Sequence, residues 1–299
     1  MPGLLAKTSA SGHGADITGL AYCPKNNLLY TSGGDGKVLV WDKECNLKKE
    51  IVAHEGWIYC IAVSNNGKVY TGSNDGTIKM IENALGDKCE AVQICKTMDE
   101  IESLYVHGDT LYSGDDKGVV AFFENDKFMS RIETSEEVKG LIAEKGFIYT
   151  IRDRDLSIFA ADTSKKVAGL QHRAAIPGSA PICIFGPVEK EKQKYIGMLM
   201  RQAKGLQVIK NHPDEKFAVL CEKDNVHEML INALTGIDHF MFSADYVGKV
   251  KKWSVESGKL ELIAELDACP GVCINAIKAI DANTVYIGSS DGLLRKLTF

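Results

Sequence analysis

One short pattern returns seven times along this 299-residue chain, and it constrains the fold more than any other feature. An aromatic residue near the start of a β-type run is followed by small residues, then a tight turn, then a second β-type run. The copies read LYTSGGDGKVLVW at Tyr30, VYTGSNDGTIKMI at Tyr70, LYSGDDKGVVAFF at Tyr112 and IYTIRDRDLSIFA at Tyr149. MFSADYVGKVKKW at Phe242 and VYIGSSDGLLRKL at Tyr286 follow, and KYIGMLMRQAKGLQV at Tyr195 is a weaker copy. Successive aromatics are 37 to 47 residues apart, a spacing that points to a repeat architecture. Gly36, Gly76, Gly118, Gly248 and Gly292 each lie six residues after the aromatic, where a tight hairpin needs positive φ, and an aspartate close before can bond the turn's own amides. An apolar run precedes each aromatic: ITGLAYCP, IYCIAVS, IESLYVH, VKGLIAE, APICIFG, EMLINAL and CINAIKAI. These runs are too short and too often interrupted for amphipathic helices, so each unit is read as about four short strands and the chain as all-β.

A four-stranded unit of this length ending in Trp-Asp resembles the WD (WD40) repeat family, and the resemblance extends over residues 1–299. In that family a histidine before the first strand, a Ser or Thr after the aromatic, the turn aspartate and the closing tryptophan form one buried hydrogen-bonded set. Unit 1 matches at His13, Thr31, Asp35 and Trp41, and unit 2 keeps His54, Thr71 and Asp75 but has Ile81 in place of the tryptophan. Only Ser243 and Trp253 are recognised in unit 6 and only Asp291 in unit 7, while units 4 and 5 hold almost none of the set. The resemblance implies a single seven-bladed β-propeller of four-stranded antiparallel blades. Its blades are expected at approximately 11–50, 51–95, 96–133, 134–170, 171–220, 221–265 and 266–299. The last copy stops at a third strand, LLRKLTF, and GLLAKTSA stands unclaimed before His13, so residues 1–10 are expected to complete blade 7 and close the ring.

A net charge of −5 and a pI near 5.9 offer no general attraction to nucleic acid or anionic membranes. The start, MPGLLAKTSASGHG, has no secretory apolar core, and no apolar run is long enough to span a bilayer. Nine scattered cysteines, an odd number, favour reduced thiols and a cytoplasmic or nuclear location. CPGVC at Cys269–Cys273 lacks the second ligand pair that a zinc site needs, so no metal or cofactor is expected. The histidines form no ligand cluster; His13, His54 and His172 are read as structural residues leading into blades, and His227-Glu228 as a lone pair.

GSSDG at Gly288–Gly292 fits G-x-S-x-G with Ser290 at the nucleophile position, but it occupies the hairpin column of the repeat and no histidine follows it in the chain. Gly12-His13-Gly14 lacks the strand and third glycine of a dinucleotide loop. The expected function is therefore a non-catalytic scaffold or adaptor, a monomeric propeller within a complex, docking proteins or peptides on its faces. An enzyme with a central-channel site is the alternative from another class. The turn column suggests where docking occurs: Asp35, Asp75, Asp115, Asp116 and Asp291 mark blades 1, 2, 3 and 7, whereas blades 4 and 5 present Arg152, Arg154, Arg201 and Lys204. This basic sector fits an acidic or phosphorylated segment, and a phosphopeptide or phosphoinositide reader is a second alternative. The adjacent arginine pair of some lipid-binding propellers is not present. Against it stands simple pairing of Arg152 and Arg154 with Asp153 and Asp155. Trp57 is read either as an apolar anchor on the same face or as packing for a neighbouring turn. VEKEKQK, residues 188–194, is expected on the opposite face as a solvated loop.

Overall fold

The computed structural model describes residues 4–134, 136–144, 146–162, 169–187, 194–256 and 258–299. These residues form seven four-stranded antiparallel sheets, six of them meanders in simple chain order. The inner strands are Ile17–Cys23, Ile58–Val63, Ile101–His107, Gly140–Glu144, Ser179–Phe185, Ile231–Ile237 and Ile274–Ala279. Each packs on the next, and the last packs on the first, so the sheets stand as blades around a central channel. The seventh sheet contains Ile274–Ala279, Thr284–Ser289 and Leu294–Thr298, and its outer strand is the N-terminal segment Leu4–Thr8. Leu5 pairs with Leu297 and Thr8 with Arg295, while Ser9 N–H donates to the Leu294 carbonyl at 2.8 Å. The ring is thus closed by strand pairing, as expected, and the edge of the last sheet is covered.

The repeated turn works as its sequence requires. Gly36 has φ of +73°, and a Cβ there would meet the His54 carbonyl oxygen at 2.3 Å, so both backbone conformation and space select glycine. The second and third strands bury aliphatic and aromatic side chains on both faces, because each blade is packed between two others: Leu28–Gly33 is buried throughout. Tyr30, Tyr149, Phe242 and Tyr286 are fully enclosed.

In six blades the register of the inner strand slips near its start: between Ile17 and Gly19, Ile58 and Cys60, Ile101 and Ser103, Ser179 and Ile182, Ile231 and Ala233, and Ile274 and Ala276. Each slip is a β-bulge that takes Thr18, Tyr59, Glu102, Pro181, Asn232 or Asn275 out of the ladder and leaves it lining the channel.

Outer strands depart from the expected blade limits. The outer strand of blade 4 runs Gly169–Pro177, beyond the boundary expected at 170, and those of blades 5 and 6 end at Lys223 and Asp267. His172 lies inside that blade 4 strand, opposite Phe159 with ring centroids 5.5 Å apart, and not in a lead-in to blade 5. Residues 188–193, most of the VEKEKQK segment, lie outside the described residues. Among the described residues no helix is long and apolar enough to cross a membrane.

Candidate functional site

The hydrogen-bonded set that the resemblance implies is complete in blade 1. His13 Nδ1 is 2.8 Å from Asp35 Oδ1, His13 Nε2 is 2.8 Å from Thr31 Oγ1, and Trp41 Nε1 donates to the same hydroxyl at 2.9 Å. Burial outweighs the Asp35 hydrogen bond and lowers the His13 pKa, which favours the neutral ring. A consistent chain of donors follows: Trp41 to Thr31, the Thr31 hydroxyl to His13 Nε2, and His13 Nδ1–H to Asp35. Burial works against the Asp35 carboxylate, but the His13 bond and the amides of Gly14 and Lys37 prevail and lower its pKa. Blade 2 repeats the arrangement, with His54 Nδ1 3.0 Å from Asp75 and Nε2 2.8 Å from Thr71.

Blade 6 also carries the whole set, which corrects the sequence reading. His227 Nδ1 is 2.9 Å from Asp245 Oδ2, Nε2 is 2.7 Å from Ser243 Oγ, and Trp253 Nε1 donates to Ser243 at 2.9 Å. His227 is therefore no lone pair with Glu228. The signal was present: His13, His54 and His227 each stand four residues before the isoleucine that begins the inner strand. In blade 7 Arg295 takes over, donating to Ser289 at 2.6 Å and to Asp291 at 3.0 and 2.5 Å.

These sets fasten one face. The turn carbonyl of one blade accepts from the lead-in to the next: Gly36 from Ala53 and His54, Gly76 from Thr97, Gly118 from Thr134, Lys204 from Val226, Gly248 from Ala268, and Gly292 from His13. Turns and lead-ins separated by decades of sequence thus form one continuous surface.

On that surface the four basic residues of blades 4 and 5 fall close together, and two are engaged. Arg152 lies 3.1 Å from Glu137 and 3.9 Å from Asp153; Arg201 lies 2.8 Å from Asp155 and donates to the Arg154 carbonyl at 3.1 Å. Among the described residues the Arg154 and Lys204 side chains take no ion pair. Trp57 is 47% exposed and rests on the blade 1 turn, since a Cβ at Gly34 would sit 3.1 Å from its ring. Sequence reasoning missed an apolar cluster on blade 6. Met229 and Leu230 in its lead-in and Tyr246 and Val247 in its turn are 39 to 46% exposed, and Tyr246 N–H bonds the Leu230 carbonyl at 3.1 Å. The run EMLINAL looks like one strand, but the strand begins at Ile231.

The channel forms a cavity of about 270 Å³. At its mouth Asn232 donates to Asn275 at 3.1 Å and Asn275 to Asp16 at 3.3 Å. Burial raises the thiol of Cys60, which lines the cavity, and pushes that of Cys183, next to the lining residue Ile182, up to about 12, so neither is a thiolate near neutral pH. Ser290 sits in the blade 7 hairpin turn, and His13, bonded to that turn through its backbone, has both ring nitrogens committed to Asp35 and Thr31. No group of three potential metal ligands occurs among the described residues.

Residues 6–42 and 45–82 match the family model described as WD domain, G-beta repeat. Over 86 residues the chain is 33% identical to a guanine nucleotide-binding protein subunit beta-like protein of Encephalitozoon cuniculi, a match spanning 28% of this chain and 25% of that protein. Among solved structures, the WD40 beta propeller domain of Doa1 aligns with a TM-score of 0.75 at 14% identity, covering 99% of this chain and 96% of that one. The WD40 repeats of RRP9 align with a TM-score of 0.78, also at 14% identity, covering 98% and 96%. At such identities the likeness is one of fold.

Proposed function

We propose that this seven-bladed propeller, with WD40 repeats in its first two blades, is a non-catalytic scaffold that docks a partner protein on the face built from turns and lead-ins. The observation that carries this reading is the apolar cluster of blade 6. Met229, Leu230, Tyr246 and Val247 come from two separate segments and lie next to the blade 5 turn, whose Ala203 carbonyl accepts from Ile231 N–H at 2.8 Å. Adjoining exposed apolar side chains on a polar rim are the usual anatomy of a docking patch. Lys204, whose side chain takes no ion pair among the described residues, supplies positive charge beside it, with Arg154 further round the same face, favouring a partner segment with apolar anchors flanked by acidic groups. Arg152 and Arg201 contribute less, because their ion pairs must loosen first. Trp57 offers a second contact across the channel mouth. The nine cysteines are all unbridged, which supports a reducing compartment, the cytosol or nucleus.

The test is capture of partners by the full chain, by Leu230→Glu/Tyr246→Glu, and by Val92→Glu on the outer rim. The reading expects the double variant to lose stoichiometric partners that wild type and the rim variant both retain. Retention by the blade 6 variant, with loss in the rim variant, would move the working surface elsewhere.

A further inference from the structure

Blades 3 and 6 share one register. Ile101 pairs with Asp115 as Ile231 pairs with Asp245, and Leu111 pairs with Phe123 as Met241 pairs with Trp253. Thr97, Ser113, Asp115 and Phe123 therefore stand where blade 6 has His227, Ser243, Asp245 and Trp253. Asp115 Oδ1 accepts from Lys117 N–H at 3.0 Å and Val119 N–H at 2.7 Å, just as Asp245 Oδ1 accepts from Val247 and Lys249 at 3.0 and 2.9 Å. The difference is the imidazole. Thr97 is too short to bridge the acid and the serine, and its hydroxyl turns to the carbonyls of Gly76 and Asp99. Asp115 is 5% exposed and Ser113 3%. Among the described residues, neither Asp115 Oδ2 nor Ser113 Oγ has a hydrogen bond or ion pair, although buried polar atoms are ordinarily paired. Both line an open pocket of about 360 Å³, walled by Phe123 and Phe128, with Met98 fully exposed at its rim.

We propose that this blade 3 pocket binds an imidazole-type ring, whose N–H donates to Asp115 Oδ2 and whose second nitrogen accepts from the Ser113 hydroxyl. The geometry is that of His227 in blade 6, where the same two poles lie 2.9 and 2.7 Å from the ring nitrogens. The aromatic walls suit a flat ring, and the pocket is large enough for a short stem beyond it. Burial, together with Asp99 and Asp116, raises the Asp115 pKa, whereas Asp245, which has its histidine, is lowered. Lys96 and Arg131 also border the pocket, and Lys117 is held by Asp116 at 2.7 Å. A neutral ring meets all these groups without a charge conflict. The ring can come from a free small molecule or from a histidine side chain of a bound protein.

The test uses the full chain and ligand-observed NMR titration with 4-methylimidazole, with 1,2-dimethylimidazole, which lacks an N–H, and with a blocked Gly-His-Gly peptide. Saturable binding of 4-methylimidazole is expected, at least tenfold weaker for the dimethylated ring and for Ser113→Ala. Thr97→His, which supplies the ring from within, should abolish it, and circular dichroism melts would check that both variants remain folded. Peptide binding at least tenfold tighter than the free ring assigns the pocket to a partner's histidine; the reverse assigns it to a small molecule. No saturable binding, or equal binding by wild type, Ser113→Ala and a folded Thr97→His, would overturn the proposal.

Discussion

Thr31→Val removes one hydroxyl and little volume, yet the structure predicts a large cost. Thr31 Oγ1 is the shared partner of Trp41 Nε1 and His13 Nε2, and all three side chains are buried. Valine leaves a buried donor and a buried acceptor with nothing to bond. Each orphaned group costs about 1–3 kcal/mol, so the loss should be about 2–6 kcal/mol. Thr71→Val in blade 2 provides the internal scale. Ile81 stands in place of the tryptophan there, so one ring nitrogen, His54 Nε2, is orphaned, the hydroxyl's other contact being a long 3.5 Å one to the Lys79 carbonyl, and about 1–3 kcal/mol is expected. Ser113→Ala in blade 3 removes a hydroxyl that has no partner among the described residues and should cost less than about 1 kcal/mol. Urea unfolding of the three variants, with slopes that match wild type, gives the ranking directly. If Thr31→Val cost no more than Thr71→Val, or Ser113→Ala matched both, the shared-hydroxyl argument would be wrong.

Acid should loosen blades 1 and 2 early. Burial lowers the His13 and His54 pKa values in the folded chain, so the unfolded chain binds protons more readily. Stability from these sites is complete above the unfolded value of about 6.5 and declines as pH falls from there toward the lowered folded values. Asp35 and Asp75, also lowered, add a further loss on acidification below about 3.8. Melting temperatures that stay flat between neutral pH and the lowered histidine range would contradict this. Removing residues 1–10 uncovers the Leu294–Thr298 edge and deletes the bonds between Ser9 and Leu294; light scattering should report aggregation, and a melt should fall by several degrees. An unchanged melt would mean that the seam is held by packing alone.

The number of blades and the closing strand were legible because both are written in local patterns: a turn every few dozen residues and an unclaimed N-terminal strand. The site was legible only where its residues kept a fixed offset from the turn glycine. Asp35 and Asp75 immediately precede that glycine, whereas Asp245 stands three residues before Gly248, so alignment on the glycine concealed the blade 6 set. Arg201 pairs with Asp155 from a neighbouring blade, an encounter decided by packing and not by sequence proximity. The outer strand Gly169–Pro177 ran past its expected limit because an outermost strand is backed by a partner on one edge only. Its apolar pattern is accordingly weak.

The bulge near the start of most inner strands separates two tasks that a ladder residue must otherwise combine. Thr18, Tyr59, Glu102, Pro181, Asn232 and Asn275 are excused from strand pairing, so a hydroxyl, a phenol, a carboxylate, a pyrrolidine ring and two amides can occupy equivalent places without disturbing register. The isoleucines just before them in five of these blades carry the packing. The rim of the channel is thereby a set of interchangeable sockets: its chemistry can be rewritten residue by residue while the barrel of blades behind it stays the same.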